Sequence, residues 1–464
     1  MRLRHITYLC LGLLLMMSCN DDKTENIVYD LSKDAQIYSF TVAASYDRTA
    51  DSVTRHQDSI YANALTRVRF ALNQVAGIIY NPDSLPYGLE PQMVKMTVGF
   101  NTLAGGIGKF EIFVPDSAGY YEWNSTDSVD FSKMPIQFRV TALHGNTKDY
   151  RLDLRIHQED PDVIVWNRMN DFITEEGPQK VLMLEDNFYA YSVSTSSASL
   201  STADNVNLIW QEQTLQNFPL SIIVESINVM NNSFYAITTE GNSYMSLDGI
   251  SWEKQENGQF ITAICGILPG KNSNDDVLLV LLRGDDGKNY YGTTTDLRSI
   301  DVITSVSSSP NDPSVQPDFP TKGFSATTKY NRAGNDNVLV LTSGIALDGR
   351  SLSATWVIRK TEEGLEMSSS ARNSFFSGVG VSVFLYDDCL FALAKNKLYY
   401  SKSWGAVWSV ASSKQNLPSI MAVRSSQSVV VDNRNNIWIF GGVSENNAYR
   451  GDSWTGCLNR LKVN

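Results

Sequence analysis

Ser246-Leu247-Asp248-Gly249-Ile250-Ser251-Trp252 carries the clearest structural signal in the chain. It is a turn followed by an anchor. The short Ser246 and Asp248 side chains accept hydrogen bonds from nearby backbone N–H groups, and Gly249 supplies the positive φ of a tight hairpin. Trp252 then opens the next strand with a ring large enough to wedge beneath its neighbours. A second, altered copy reads Ser401-Lys402-Ser403-Trp404-Gly405-Ala406-Val407-Trp408, with Ser403 where an Asp is usual. Ser246, Asp248, Gly249, Trp252, Ser401, Gly405 and Trp408 are therefore expected to be structural turn and anchor residues. Asp248 is read as a turn residue and not as a catalytic acid.

The pattern resembles the Asp-box of sialidases and other β-propellers, S-x-D-x-G-x-x-W. That resemblance implies a propeller with these hairpins at the blade periphery, and it implies nothing about activity. The rest of residues 161–464 repeats in the same way. Trp166, Trp210 and Trp252 are spaced by 44 and 42 residues, and another anchored strand begins at Trp408. Strands near Ile300–Ile303 and Leu365–Met367 fill the same place with weaker anchors, which makes six outer strands. Two segments look kelch-like: Gly344 to Trp356 and Gly442 to Trp454 share a spacing of 12. About 300 residues at about 40–50 per blade make six or seven blades, and the anchors favour six. The last apolar run, Trp454–Leu461, reads as a third strand without a fourth. A lone strand at 163–167 is expected to complete that blade and close the ring, leaving no unpaired inner edge.

Upstream, residues 34–158 carry about seven short alternating runs separated by turn clusters such as Asn81-Pro82-Asp83-Ser84-Leu85-Pro86 and His144-Gly145-Asn146. This predicts a β-sandwich. Its end, Asp130-Phe131-Ser132 through Pro135–Ala142 to Lys148-Asp149-Tyr150, resembles the closing hairpin of bacterial immunoglobulin-like domains, with His144 where Asp is usual. With residues 81–88 it also resembles the N-terminal domain of a Bacteroidota lipoprotein family of undefined function, in which this domain precedes a propeller. The polar joint Gln158-Glu159-Asp160-Pro161-Asp162 separates the two. The fold class expected is all-β: a sandwich at 34–158, then a propeller at 161–464.

Residues 1–18 read as a signal peptide. Arg2 and Arg4 precede an apolar run from Ile6 to Met17, too short to span a bilayer as a helix. The run ends at Met16-Met17-Ser18-Cys19, which resembles a bacterial lipobox and makes Cys19 the expected lipidation site. Asn20-Asp21-Asp22 resembles the signal that sends Bacteroidota lipoproteins to the outer face of the outer membrane. Residues 19–33 are then a polar tether. The expected location is the cell envelope, as a surface-exposed outer-membrane lipoprotein.

Composition limits the chemistry. The chain has 464 residues, 42% of them hydrophobic and 19% charged, with a net charge of −12. Such a surface argues against nucleic acid, which requires clustered Lys and Arg. All four histidines, His5, His56, His144 and His157, precede the propeller. Residues 161–464 therefore hold no Ser-His-Asp, Cys-His or His-metal site. Cys265, Cys389 and Cys457 are too far apart for a disulfide framework or a metal spacing. The acidic pairs Asp275-Asp276, Asp285-Asp286, Glu362-Glu363 and Asp387-Asp388 sit at turns and strand ends. Neighbours on a strand face opposite ways, so no pair makes a glycosidase dyad by itself. The Arg-Ile-Pro segment of sialidases is absent, and Arg283, Arg359 and Arg424 form no recognisable triad. Binding candidates are Tyr120-Tyr121-Glu122-Trp123, Tyr290-Tyr291, Tyr399-Tyr400 and the long connection Ser305–Gly323, expected on a propeller face. No catalytic, cofactor or metal residues are assigned. The function expected is non-catalytic binding of a glycan or surface protein through propeller-face loops; a sialidase-like or other carboxylate-dependent glycoside hydrolase is the alternative.

Overall fold

The computed structural model describes residues 31–44, 62–88, 94–100, 106–125, 127–172, 174–309, 311–331, 333–334 and 336–462. Cys19, the signal segment, most of the tether, His5 and His56 lie outside the described residues. The chain divides into two compact units between Glu159 and Asp160.

The first unit is a β-sandwich. One sheet orders strands Ile37–Ala44, Val94–Phe100 and Ser128–Val129; the other has six strands, with Thr147–Asp153 and Gln137–Thr141 at its centre. In Gln137–Thr141 burial alternates, so Phe138 and Val140 point inward while their neighbours are half-exposed. That is the period-2 pattern of a sheet with one wet face. The sheets meet through Phe40 and Phe138, whose rings are 5.7 Å apart. Tyr150 ties them by donating to Gln74 Oε1 (2.6 Å) and accepting from the Ile37 amide (3.1 Å).

The second unit is a β-propeller of six four-stranded antiparallel blades. Blades 1 to 5 are each built from consecutive strands. Their inner strands are Gln179–Leu184, Asn228–Met230, Phe260–Leu268, Ser325–Lys329 and Ser382–Tyr386. Blade 6 begins with Ser428–Val431, continues through Ile437–Phe440 and Ser453–Leu458, and takes its outer strand from the other end of the unit, Ile164–Met169. That strand pairs antiparallel with Ser453–Leu458, from Ile164 opposite Leu458 to Met169 opposite Ser453. Blade 6 is thus stitched from both ends of the propeller sequence, which closes the ring.

Packing explains why the blades stay together. Middle strands are apolar on both sides: Leu278 to Leu281 are all fully buried, as are Leu339, Val340 and Leu341. One side of each sheet packs on the preceding blade and the other on the next. Hydroxyls on the inner strands join blades across the channel wall. Ser428 Oγ accepts from the Val181 amide, and Ser325 Oγ accepts from the Val383 amide, each at 2.8 Å. Thr328 donates to the Ile267 carbonyl at 2.8 Å. These bonds satisfy backbone groups that no fifth strand covers.

The kelch-like Gly441-Gly442 segment leads to the most buried ion pair. Arg424, 2% exposed, makes two bonds of 2.7 Å to the Asp452 carboxylate and a third of 3.0 Å to the Gly441 carbonyl. Trp454 Nε1 donates to the same carboxylate at 2.8 Å. Burial pushes the Asp452 carboxyl up, but the bonds from Arg424 and Trp454 outweigh it, and the net pKa is lowered. Arg424 is therefore a structural fork and not part of a substrate clamp.

Candidate functional site

The turn at 246–252 joins the third and outer strands of blade 2. Ser246 Oγ donates to Asp248 Oδ1 (2.9 Å) and accepts from the Gly249 amide (2.9 Å). Asp248 Oδ1 also accepts from the amides of Ile250 (2.8 Å) and Ser251 (2.7 Å). Gly249 has φ +76°, and a Cβ there would lie 2.8 Å from the Tyr191 hydroxyl, so the position excludes a side chain twice over. Trp252 is 1% exposed and donates back to the Gly249 carbonyl at 3.3 Å. Ser246 Oγ and Asp248 Oδ1 serve the turn's own amides, and the Tyr191 hydroxyl donates to the Gly249 carbonyl at 2.6 Å. Burial presses the Asp248 carboxyl up, but the amides of Ser251 and Ile250 and the Ser246 hydroxyl hold it below the ordinary range. Asp248 serves the turn.

Blade 3 uses the same device with residues that hide it. Thr294 Oγ1 accepts from the Leu297 amide (2.9 Å), and Asp296 Oδ1 accepts from the amides of Arg298 (2.9 Å) and Ser299 (3.0 Å). Leu297 stands in the glycine position at φ +59°. A search for Ser, Gly and Trp does not find this copy.

The turn at 401–408 in blade 5 is longer. Ser401 Oγ accepts from the Gly405 amide at 3.0 Å, four residues on rather than three. Ser403 Oγ accepts one amide, that of Val407 at 3.0 Å. Trp408 is buried, as Trp252 is, but its indole N–H has no partner. Trp404 stands between Ser403 and Gly405, as the S-x-D-x-G-x-x-W spacing requires, and is held at φ +54° beside Gly405 at φ +85°; the turn at 246–252 is the one that is a residue short. A bulky side chain in the left-handed region costs about 1–2 kcal/mol relative to glycine.

Trp404 is half-buried and faces a cleft between blades 4 and 5. The Lys329 ammonium lies 4.3 Å from the centre of its ring. Lys329 and Arg359 both bond the Asp336 carboxylate, each at 2.5 Å. The bond from Lys329, with both positive charges nearby, keeps Asp336 ionised well below its usual range. Facing Trp404 across the cleft are Arg359, Ser368 and Ser369. The cleft encloses about 270 Å³. Val338, Val357 and Ala406 also line it, and Trp404 packs against the apolar core shared by blades 4 and 5, so the cleft combines apolar side chains with an aromatic ring that has a cation over it, a carboxylate and hydroxyls.

Most of the other sequence candidates fall into structural roles; Tyr121 is 45% exposed on its short strand in the sandwich. Tyr291 is fully buried, and Tyr290 donates to Asp286 Oδ2 at 2.7 Å. Tyr399 is buried in blade 5, and Trp123 packs 5.5 Å from Phe110 in the sandwich. Tyr120 donates to Gln137 Oε1 (2.9 Å), with the Arg139 guanidinium 4.2 Å above its ring. Asp276 accepts from the Gly270 amide at 2.9 Å, and Asp275 caps the short helical turn Ser273–Asp275. Glu362 and Glu363 are exposed turn residues. Asp387 and Asp388, at φ +50° and +56°, form the two-residue turn between Ser382–Tyr386 and Cys389–Ala394, and Asp387 pairs with Arg460.

The connection 305–323 departs from the expectation of a free face loop. Val306 bridges Leu365 on the outer strand of blade 4, and the Val315 amide donates to the Asn289 carbonyl in blade 3. Phe319 is fully buried, 5.3 Å from the Trp356 ring. Its aromatic and β-branched residues seal the seam between two blades. The free cysteines are Cys265, Cys389 and Cys457 among the described residues, and burial pushes each thiol upward. No group of three or more His, Cys, Asp or Glu among the described residues is arranged to hold a metal. No helix among them is long and apolar enough to cross a membrane.

With the geometry described, comparison with known proteins places the chain. The DUF6242 beta propeller domain matches residues 160–464, and the DUF6242 N-terminal domain matches residues 40–154. The chain belongs to the DUF6242 family. No curated protein matches this DUF6242 chain. Solved structures similar to it include YjhT, at 12% identity and a TM-score of 0.43, covering 60% of this chain and 93% of that one. Another is the Aleuria aurantia lectin in complex with alpha-methyl-L-fucoside, at 11% and 0.37, covering 62% and 95%. A third is the extracellular domain of the putative one component system BT4673 from B. thetaiotaomicron, at 11% and 0.34, covering 68% and 36%.

Sequence reading quoted Trp404 as part of the second turn and gave it no role of its own. Its one signal was a bulky aromatic residue directly before the turn glycine, in a copy whose four-residue spacing from serine to glycine is the usual one. Asp336, Lys329 and Arg359 gave no comparable signal, because they converge from separate strands and turns of blade 4.

Proposed function

We propose that this protein is a lipid-anchored cell-surface binding protein whose propeller holds a glycan at the cleft between blades 4 and 5, without turning it over. The observation that carries the reading is Trp404. It sits in a left-handed conformation, and its ring, packed against the apolar core of blades 4 and 5, borders a cleft lined with the Asp336 carboxylate, the Arg359 guanidinium and serine hydroxyls. Backbone strain of this kind persists where the surrounding structure enforces it and is concentrated at ligand sites. A sugar ring has an apolar face for stacking and a polar rim for Asp336, Arg359 and the serines. The sequence adds the expected anchor at Cys19.

The test is to incubate the full chain with a panel of neutral polysaccharides, uronic-acid polymers and sialosides, measuring retention and product release together. Retention that falls at least tenfold in Trp404→Ala, without product release, is the expected result. Turnover on the order of 1 s⁻¹ or faster, abolished by one Asp or Glu change, overturns the binding reading in favour of a hydrolase. Absence of both directs the search to a protein partner, by cross-linking on intact cells. Cys19→Ala is expected to shift the protein from the membrane to the soluble fraction. Retention of that variant in membranes, with no precursor accumulating, removes the anchor from the proposal.

A further inference from the structure

Trp404 borders two recesses. One is the 270 Å³ cleft between blades 4 and 5. The other is larger, about 710 Å³, and lies where the inner strands of blades 4, 5 and 6 end. Its wall comes from the turns that follow those strands: Tyr330 and Asn331 from blade 4, Asp387 and Asp388 from blade 5, and Asn435 from blade 6. Tyr330 is 49% exposed, and Asp388 is exposed at the tip of its turn. Asp387, Asp388 and Asn435 all have positive φ, +50°, +56° and +62°, so the turns that carry them are tight and their backbones closely defined.

A polar ladder joins the two recesses. Lys329 borders the larger one, Arg359 borders the smaller, and Asp336 bonds both. The Trp404 indole stands at the junction, with the Lys329 ammonium over its face. Each recess therefore has its own polar residues, and they share one aromatic wall. A single sugar would occupy one recess and leave the polar groups of the other in water.

We infer that the ligand is an oligosaccharide of at least two units that crosses Trp404, with one unit in each recess. This rests on the glycan reading above and adds a minimum length and a direction, from the seam between blades 4 and 5 toward the channel mouth. The smaller recess holds one unit beside Arg359, Ser368 and Ser369. The larger holds the next beside Tyr330, Asn331 and Asp388 and has room for more. Units added beyond the recesses meet solvent and contribute little.

The experiment titrates the full chain with cello-, manno-, xylo- and galacturono-oligosaccharide series of one to four units, followed by calorimetry. For the series that binds, affinity is expected to rise at least tenfold from one unit to two and less than threefold for each unit after the third. Tyr330→Ala and Asp388→Gly should each collapse the disaccharide affinity toward that of the monosaccharide; glycine keeps the left-handed turn at 388. Trp404→Ala should weaken every member. Melting curves confirm folding, and Asn331→Ala replaces any variant that fails to fold. Equal affinities for one and two units, or an increment that survives both larger-recess variants, overturns this inference and leaves the glycan reading intact. If no series binds and Trp404→Ala changes nothing in the wider panel, both fall together.

Discussion

The turns at 246–252 and 401–408 occupy the same place in blades 2 and 5 and use their residues differently. In the first, serine and aspartate together satisfy three backbone amides, and the tryptophan N–H closes the loop on the Gly249 carbonyl. In the second, Ser401 and Ser403 also satisfy three amides, those of Ser403, Gly405 and Val407, but Trp408 leaves its N–H unpaired and Trp404 borders the cleft. The difference lies in the indole: this hairpin keeps its amides satisfied with serines and tolerates loss of the tryptophan hydrogen bond, because the buried ring and its blade hold it in place.

The largest expected effect tests the anchors. Trp252→Ala should destabilise the propeller by about 3–5 kcal/mol, the usual cost of emptying a large aromatic site. Trp252→Phe should cost about 1 kcal/mol more than Trp408→Phe, because only Trp252 loses an indole hydrogen bond. Thermal unfolding of the three single variants measures this. Equal losses for the two phenylalanine variants would break the distinction between the turns.

Next in size are the turn acceptors. Asp248→Ala should cost about 1–2 kcal/mol, since it leaves the Ile250 and Ser251 amides without their acceptor. Ser403→Asp should move the other way, by about 0.5–1 kcal/mol, if the second turn is the first with its aspartate missing. Denaturant unfolding decides; a destabilised Ser403→Asp would show that the longer turn differs in geometry beyond repair by one side chain.

Trp404→Gly separates stability from binding. Relief of the left-handed conformation, about 1–2 kcal/mol, offsets the ring's packing and its contact with Lys329. The melting temperature should therefore move little, while glycan retention is lost. A large loss of stability would make Trp404 another anchor and remove the argument for the site.

The smallest effect is in pH dependence. The folded pKa of Asp248 is lowered: burial opposes this, but the Ser251 and Ile250 amides and the Ser246 hydroxyl prevail. Its contribution is fully present above the unfolded value of about 3.9. It is lost as pH falls through the lowered folded value. Asp248→Asn should flatten that limb of the stability curve slightly, by tenths of a kcal/mol because the group is exposed. Blade 5 has Ser403 at the corresponding position, so Ser403→Ala should leave the same limb unchanged.

The amino-acid sequence was enough for the all-β class, for a propeller of six or seven blades with six favoured, and for the places of Asp248, Gly249 and Trp252. These follow from local rules: a tight turn needs particular side chains within a few residues, and a strand alternates with period two. The copy at Thr294–Ile300 escaped because threonine and leucine meet the same geometric demand with commoner residues. Tertiary structure alone decided which residues became a site. Asp336, Lys329 and Arg359 lie within blade 4, Trp404 belongs to blade 5, and only the closed ring sets them against one another. The same closure decided that residues 305–323 are a seal, since the burial of Phe319 depends on Tyr291 in blade 3 and Trp356 in blade 4. Local hydrogen bonding is written in neighbouring residues; convergence across a seam between blades is written only in the packing.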